Sequence, residues 1–264
     1  MKKFKGPKIL FLDIETAPIL ASVWGLWENN VPLNMIEKDW HVLSWSAKWQ
    51  HEDRVMYADQ SSKEDITDDK TLMVFIWKLL DEADIVVTHN GKAFDHKKLN
   101  ARFVVNGLKP PSSFKYIDTF LIAKKHFAFT SNKLEYLCQH LNVKYKKHKH
   151  EKFPGFELWK ACLSGNKEAW KEMEKYNKYD VLALEELYRA LIPWDNSINF
   201  GVYEEATHPK CSCGSVQFHS KGFAYTATGK YRRYVCACCG SENRDRNNLL
   251  SKLKRKTLTV KTTR

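Results

Sequence analysis

No apolar stretch in this 264-residue sequence approaches the ~18 residues needed to cross a bilayer; the longest, at residues 8–12 and 72–80, stop well short. No internal repeat is visible, which sets aside solenoids and propellers. The first residues carry no apolar leader, so the protein is expected in the cytoplasm of a bacterial cell, encoded by the cell or by a virus, with no membrane partner. Hydrophobic residues make up 43 % and charged residues 28 %, close to the globular average, so neither a disordered nor a fibrous chain fits. The length allows one full-sized domain and a small appendage.

What is present is an excess of positive charge, +12 in total, and it is unevenly spread. Residues 1–192 carry +4, residues 193–207 carry −3, residues 208–245 carry +4, and residues 246–264 carry +7 with no acidic side chain. A basic C-terminal end points to a polyanion, most commonly nucleic acid, although a basic tail can also be merely solvated. Seven cysteines in a cytoplasmic chain read as free thiols or metal ligands rather than disulfides. Five of them fall between Cys211 and Cys239, while Cys138 and Cys162 sit in helix-like apolar contexts and are expected in the core.

The order of elements is α/β. Residues 8–12 predict a short buried strand ending at Asp13-Ile14-Glu15, and residues 40–49 and 54–58 predict further strands. Helical spacing over 65–83, with Thr67 as its cap, leads to a buried strand at 85–88 and a helix over 94–105. A short strand at 116–119, a helix opening at Ser131, a lysine-rich loop at 144–152 and a long amphipathic helix over 168–191 complete the first domain, 1–192. A linker at 193–207, a small cysteine-bearing domain at 208–245 and a flexible basic tail at 246–264 follow.

Four carboxylates stand at informative places. Asp13 and Glu15 alternate with Ile14, which puts both on one strand face at the sheet edge where open α/β folds take ligands. Asp95 follows the strand at 85–88 and opens a helix, where it could also serve only to favour the helix N-terminus. Tyr176 and Asp180, four apart on the long helix, share a face. Each alone is more often structural than chemical. Together, Asp13-x-Glu15, Asn90-x4-Asp95 and Tyr176-x3-Asp180 resemble the three motifs of the DEDD, or DnaQ-like, superfamily of 3′-5′ exonucleases, over about residues 8–192. The tyrosine is similar to the DEDDy branch, which includes YprB-like proteins and the proofreading domain of family B DNA polymerases.

That resemblance implies a ribonuclease H-like fold with a mixed sheet flanked by helices, and a metal-dependent nuclease. It further implies two Mg²⁺ or Mn²⁺ ions, Asp13 bridging both, Glu15 and Asp180 completing the first and Asp95 holding the second. Hard divalent cations favour oxygen ligands, and a pair of them can clamp the attacking and leaving oxygens of a phosphodiester. Tyr176 would orient water, since a phenol of pKa ~10 is a poor base at neutral pH. Asp118, beside Thr119, reads as a structural acid. The expected substrate is single-stranded DNA or a DNA 3′ end, with a replication or repair protein as a further partner; the alternatives are a structure-selective endonuclease and a catalytically idle nucleic-acid adaptor.

Cys211-x-Cys213 and Cys236-x2-Cys239 bracket a segment with Phe218, Phe223, Tyr225, Tyr231 and Tyr234, the pattern of a zinc ribbon holding one structural Zn²⁺. The first pair departs from the usual C-x2-C, which leaves His208 and Cys238 as alternative ligands. A metal is needed because some 38 residues cannot bury enough apolar surface to fold alone. Lys221, Lys230, Arg232 and Arg233, interleaved with the aromatics, are expected to contact nucleic acid, together with Asn90 and with Lys146, Lys147 and Lys149 of the lysine-rich loop. Of Trp24, Trp27, Trp40, Trp45 and Trp49, most are expected in the core, with Trp24 and Trp27 the pair that a substrate-facing loop could offer to a base.

Overall fold

A strand buried on both faces reads as a continuous apolar run, and residues 9–12 begin such a strand at the centre of a sheet. The computed structural model describes residues 6–27, 30–145, 150, 152–203, 208–211 and 213–262. In it, β1 (Ile9–Thr16) pairs on one side, antiparallel, with β4 (Val42–Trp49), and β4 with β5 (Val55–Asp59). On its other side β1 pairs in parallel with β6 (Ile85–Thr88), and β6 with β7 (Lys115–Asp118). The order is β5-β4-β1-β6-β7, the expected mixed sheet. Two short strands, β2 (Leu20–Ala21) and β3 (Ile36–Lys38), form a separate ribbon in the excursion between β1 and β4.

Helices cover both faces of the sheet. Even-numbered residues of β1, Leu10, Leu12 and Ile14, pack against Leu72, Met73, Ile76 and Leu80 of α1 (Lys70–Glu82) and Leu99 and Phe103 of α2 (Asp95–Val105). The other face meets α6 (Lys167–Leu191), where the ring of Tyr188 stands edge-on to Phe11 at 5.3 Å. Leu158 and Cys162 of α5 (Glu157–Leu163) join Ala169, Trp170, Met173 and Tyr176 in a second cluster with Leu43. Between these lie α3 (Thr119–His126) and α4 (Leu134–His140). A buried ion pair, Lys48 on β4 to Glu185 on α6 at 2.7 Å, ties the long helix to the sheet.

Several local expectations are revised. The first strand does not end at Leu12; it runs through Asp13 and Glu15 to Thr16, with a bulge between Glu15 and Thr16. Thr67 does not cap α1, because its amide and hydroxyl donate to Asp65 at 2.9 and 2.6 Å. Asp69 holds the cap position and turns its carboxylate elsewhere, accepting from Val42 N at 3.0 Å, from Arg102 at 2.7 and 2.8 Å and from Asn106 at 2.8 Å. The helices α3 and α5 were not legible; each is short, and two turns leave little periodicity to read.

The chain divides into two compact units, one spanning 8–188 and one formed chiefly by residues from 189 onward. In the second, β8 (Phe218–Thr226) and β9 (Gly229–Cys236) make a hairpin, with β10 (Glu242–Arg244) against β9. The ordered bonding continues past Asp245, where a tail was expected: Leu249 N donates to Lys230 O at 2.7 Å, and Lys252–Lys256 form a short helix, α7, capped by Ser251. Among the described residues no helix is long and apolar enough to cross a membrane.

Candidate active site and cysteine cluster

Because side chains on a strand alternate, Asp13 and Glu15 share with Phe11 the face that α6 covers. The helix runs along β1 so that Tyr188 meets Phe11 and, three turns earlier, Asn177 meets Asp13. Asp180 then falls beside the strand carboxylates, and one oxygen each from Asp13, Glu15 and Asp180 lie within 4.8 Å of one another. They sit in a cleft of about 370 Å³ whose lining also includes His89, Asn90, Asp95, Lys133 and Tyr176. Such a group of carboxylate oxygens suits a hard divalent cation.

Asp95 lines the cleft but stands outside that close group. Its carboxylate accepts from Ile14 N at 3.2 Å, and burial pushes its pKa up to about 7, with the neighbouring Asp118 adding to the rise against backbone donors at Asp95 and Ile14. Tyr176 is 5 % exposed and hydrogen-bonded to Asp180; burial, then the charges of Asp180, Glu15 and Asp13, raise its pKa well above the ordinary phenol value. Its surroundings thus favour the protonated hydroxyl. Its ring makes edge contacts with His150 and Trp159, at 5.2 and 5.7 Å between centroids, and those two rings meet each other at 5.9 Å.

Asn177 was missed by sequence reasoning. It is fully buried, donates from Nδ2 to Asp13 Oδ2 at 2.5 Å, and accepts at Oδ1 from Ser44 Oγ at 3.2 Å. The signal was its place three residues before Asp180 on the same helix, which puts it on the face of the carboxylates. Ser44 lies opposite Glu15 in the β1–β4 register. The amide thus fixes one oxygen of Asp13 through two strands and a helix.

Asp118 is the structural acid expected. Its oxygens accept from Asn90 N at 2.8 Å, Lys92 N at 3.1 Å and Phe120 N at 3.0 Å, so it caps α3 and clamps the loop between β6 and α2. Asn90 in that loop has φ 63°, and a Cβ on Gly91 would meet Thr88 Oγ1 at 2.3 Å, so only glycine fits there. Next to the cleft in sequence, Thr16 to Ile19 line a second pocket of about 540 Å³ with Trp40, Lys98, Phe156 and Trp159. The ammonium of Lys98 lies 3.6 Å from the Trp40 ring centroid. Trp24 and Trp27 are 98 % and 86 % exposed, whereas Trp45 is core. Lys146, Lys147 and Lys149 lie outside the described residues.

In the second unit, sulfurs of Cys211, Cys213, Cys236 and Cys239 lie within 4.8 Å of one another; Cys238 is exposed, and neither it nor His208 belongs to the group. Each pair ends in a left-handed glycine, Gly214 at φ 89° and Gly240 at φ 73°, whose amides donate to Cys211 O at 2.9 Å and Cys236 O at 3.0 Å. Burial disfavours a charged Cys236, but backbone donors at Cys239 and Cys238 outweigh it and hold the thiol down to about 6. Amides aimed at a sulfur favour its thiolate form, the form that binds a metal. Four such sulfurs could hold one soft ion in tetrahedral coordination.

Residues 40–192 match the family model of the RNase H superfamily, which is more than half of the chain. The chain belongs to the RNase H superfamily. A solved structure, that of the family B DNA polymerase from the hyperthermophilic archaeon Pyrobaculum calidifontis, is similar over 71 % of this chain at 15 % identity and a TM-score of 0.50. The similar region spans only 25 % of that polymerase, and at this identity the likeness concerns the fold. No curated protein matches this sequence.

Proposed function

We propose that this member of the RNase H superfamily is a metal-dependent 3′-5′ exonuclease of the DEDDy type acting on single-stranded DNA ends. The observation that carries the reading is the meeting of Asp13, Glu15 and Asp180 within 4.8 Å, beside Asp95 and Tyr176, in one cleft. Asp13, Glu15, Asp180 and Asp95 would hold two Mg²⁺ or Mn²⁺ ions, which supply Lewis acidity toward the phosphate and lower the pKa of bound water. The chain's own residues do the rest. Asn177 holds the Asp13 carboxylate in one rotamer. The Tyr176 hydroxyl, kept protonated by its surroundings, orients the attacking water by hydrogen bonding rather than taking its proton. Lys133, lining the cleft, offers positive charge to the phosphate, and the pocket of Trp40, Phe156 and Trp159 gives an unstacked base an aromatic seat.

In this reading residues 1–192 form the nuclease domain, 193–207 a linker, and 208–245 a zinc ribbon whose four cysteines bind one structural Zn²⁺. End-labelled single-stranded and duplex DNA and RNA, incubated with Mg²⁺, Mn²⁺ or EDTA, test it. A ladder shortened from the 3′ end, dependent on the divalent ion and lost in Asp13→Ala with nucleic-acid binding retained, is the expected result. Cuts inside a circular substrate would make the protein an endonuclease. Near-wild-type turnover in Asp13→Ala would remove the metal assignment altogether.

A further inference from the structure

The hairpin of β8 and β9 has two faces of different chemistry. Residues opposite each other on antiparallel strands point the same way, and the register pairs Phe223 with Arg232 and Tyr225 with Lys230. Those four residues therefore share one face. Phe223, Tyr225 and Arg232 are exposed, Tyr225 to 70 %. Lys230 crosses the face diagonally, its ammonium 4.0 Å from the Phe223 ring centroid and 5.9 Å from that of Tyr225.

On the opposite face two of the cations are engaged by a carboxylate. Arg233 and Lys221 both reach Glu242, at 3.5 and 2.9 Å, and Arg244 lies 4.1 Å from the Tyr231 ring centroid. Of the cations that the sequence singles out, Lys230 and Arg232 stand among exposed aromatics, while Lys221 and Arg233 share a carboxylate.

From this division we infer that the Phe223, Tyr225, Lys230 and Arg232 face is a binding strip for single-stranded nucleic acid. Side chains two apart on a strand are about 7 Å apart. Bases in a duplex rise about 3.4 Å per strand step, so rings at the strip's spacing match bases drawn apart from one another. Aromatic rings take such bases by stacking whatever their identity, and Lys230 and Arg232 supply the phosphate contacts. Exposed aromatic surface bordered by cations fits a polyanion with flat apolar faces better than an acidic protein, which would call on the cations and leave the rings unused. The inference deepens the proposed function and rests on it for the substrate class, but the strip's binding is measurable apart from cleavage.

The test uses the full chain with Asp13→Ala, so that substrate survives in Mg²⁺, and reads fluorescence anisotropy of labelled dT30, rU30, an abasic oligomer of the same length, and a duplex. Phe223→Ala with Tyr225→Ala should weaken dT30 binding about 10-fold or more, since stacking is worth roughly 5- to 150-fold per base. The slope of log K against log salt should stay unchanged in that variant, because no phosphate contact is lost. Lys230→Ala with Arg232→Ala should instead lower the slope by about 0.7 per contact. With the aromatic face intact, the abasic oligomer should bind as weakly as dT30 binds the aromatic variant. Bound zinc, counted for each variant, confirms an intact ribbon. Unaltered dT30 affinity in the aromatic variant, or an equal loss on duplex and abasic oligomers, overturns the strip while leaving cleavage by the unsubstituted chain to decide the nuclease reading. Conversely, strip-dependent binding together with no cleavage by the chain that retains Asp13 would keep the strip and remove the nuclease.

Discussion

The acidic cleft and the cysteine cluster are both groups of metal-type ligands gathered from distant parts of the sequence, but opposite means hold them together. Asp13, Glu15 and Asp180 are brought together by a strand buried among apolar neighbours and a 25-residue helix packed along it. The core would form whether or not the carboxylates had an ion to hold. Cys211, Cys213, Cys236 and Cys239 stand at turns and strand ends of a three-stranded sheet, and of the residues in that sheet only Gly229 and Cys236 are buried. There the ligand group has to act as the core. A site laid on a finished scaffold can lose its ion and keep its shape, whereas a fold built around sulfurs cannot.

The largest effect should come from breaking that contrast at the ribbon. Cys236→Ser, or a chelator competing for the Zn²⁺ that the four cysteines are proposed to hold (a structural zinc is worth about 10–16 kcal/mol), should unfold the hairpin, while the unit spanning 8–188 keeps its structure. Amide hydrogen exchange checks this directly: protection should vanish from β8 and β9 and persist in β1, β4 and β6. Loss of protection in both units together would mean that the sheet, too, depends on the cysteine cluster.

Next in size is the buried pair that anchors the helix of the acidic site. Lys48 and Glu185 are both about 7 % exposed, and Lys48→Met takes the Lys48 ammonium away from the buried Glu185 carboxylate. Removing one partner of such a pair costs about 3–5 kcal/mol. Urea unfolding monitored by tryptophan fluorescence should show that loss, and Lys48→Met combined with Glu185→Leu should recover much of it. If the single variant is as stable as the parent, the anchoring of α6 does not depend on the ion pair and rests on its apolar packing and on the hydrogen bonds of Asn177.

Asn177 sharpens the comparison from the other side, because it supports the acidic site directly. Asn177→Leu keeps the branched shape, removes the donor to Asp13 Oδ2 and frees that carboxylate to turn. Partners that orient a metal ligand are worth about 10- to 100-fold in metal affinity. Mn²⁺ binding followed by electron paramagnetic resonance should weaken by that factor, and excess Mn²⁺ should restore most of the turnover. Asn177→Asp, which sets a second acceptor against Asp13, should be worse than Asn177→Leu. Unchanged Mn²⁺ affinity in both variants would reduce the amide to packing.

How much of this was legible follows from the range of each signal. The buried strands at 85–88 and 42–49 and the long helix were readable, because a periodic or continuous apolar pattern is a local property. So was the facing of Asp13 with Glu15, and of Tyr176 with Asp180, since strand and helix periods place them. The extension of β1 through two acidic residues was not, because polar side chains end an apolar run even where the ladder to β4 continues. Asn177 could be placed on the right face but not joined to Asp13, 164 residues away, since that bond depends on how α6 lies on the sheet. The division of cations between the ribbon's faces needed the β8–β9 register, including the irregularity between Ser220 and Phe223, at which Gly222 hints without fixing the pairing.

The smallest effect concerns a group that neither site uses. His41, on the segment entering β4, is 4 % exposed; burial lowers its pKa from 6.5, against the opposing pull of Asp39, Asp69 and Asp65, and Arg102 lowers it further. In the unfolded chain the imidazole takes up a proton near pH 6.5, while in the folded protein it stays neutral to a lower pH. Protons are then bound more readily by the unfolded state, so stability must fall as the pH drops below about 6.5, by at most about 1.4 kcal/mol per pH unit, until the folded-state pKa is reached. Above 6.5 both states are neutral and the histidine contributes no slope. Thermal denaturation of the parent and of His41→Gln between pH 5 and 8 isolates this contribution, because the carboxylates that also titrate at the acid end are common to both. The two melting curves should differ by a constant amount above pH 6.5 and converge or cross below it as the parent loses stability faster. A difference independent of pH over the whole range would mean that the folded protein accommodates the charged ring as readily as water does.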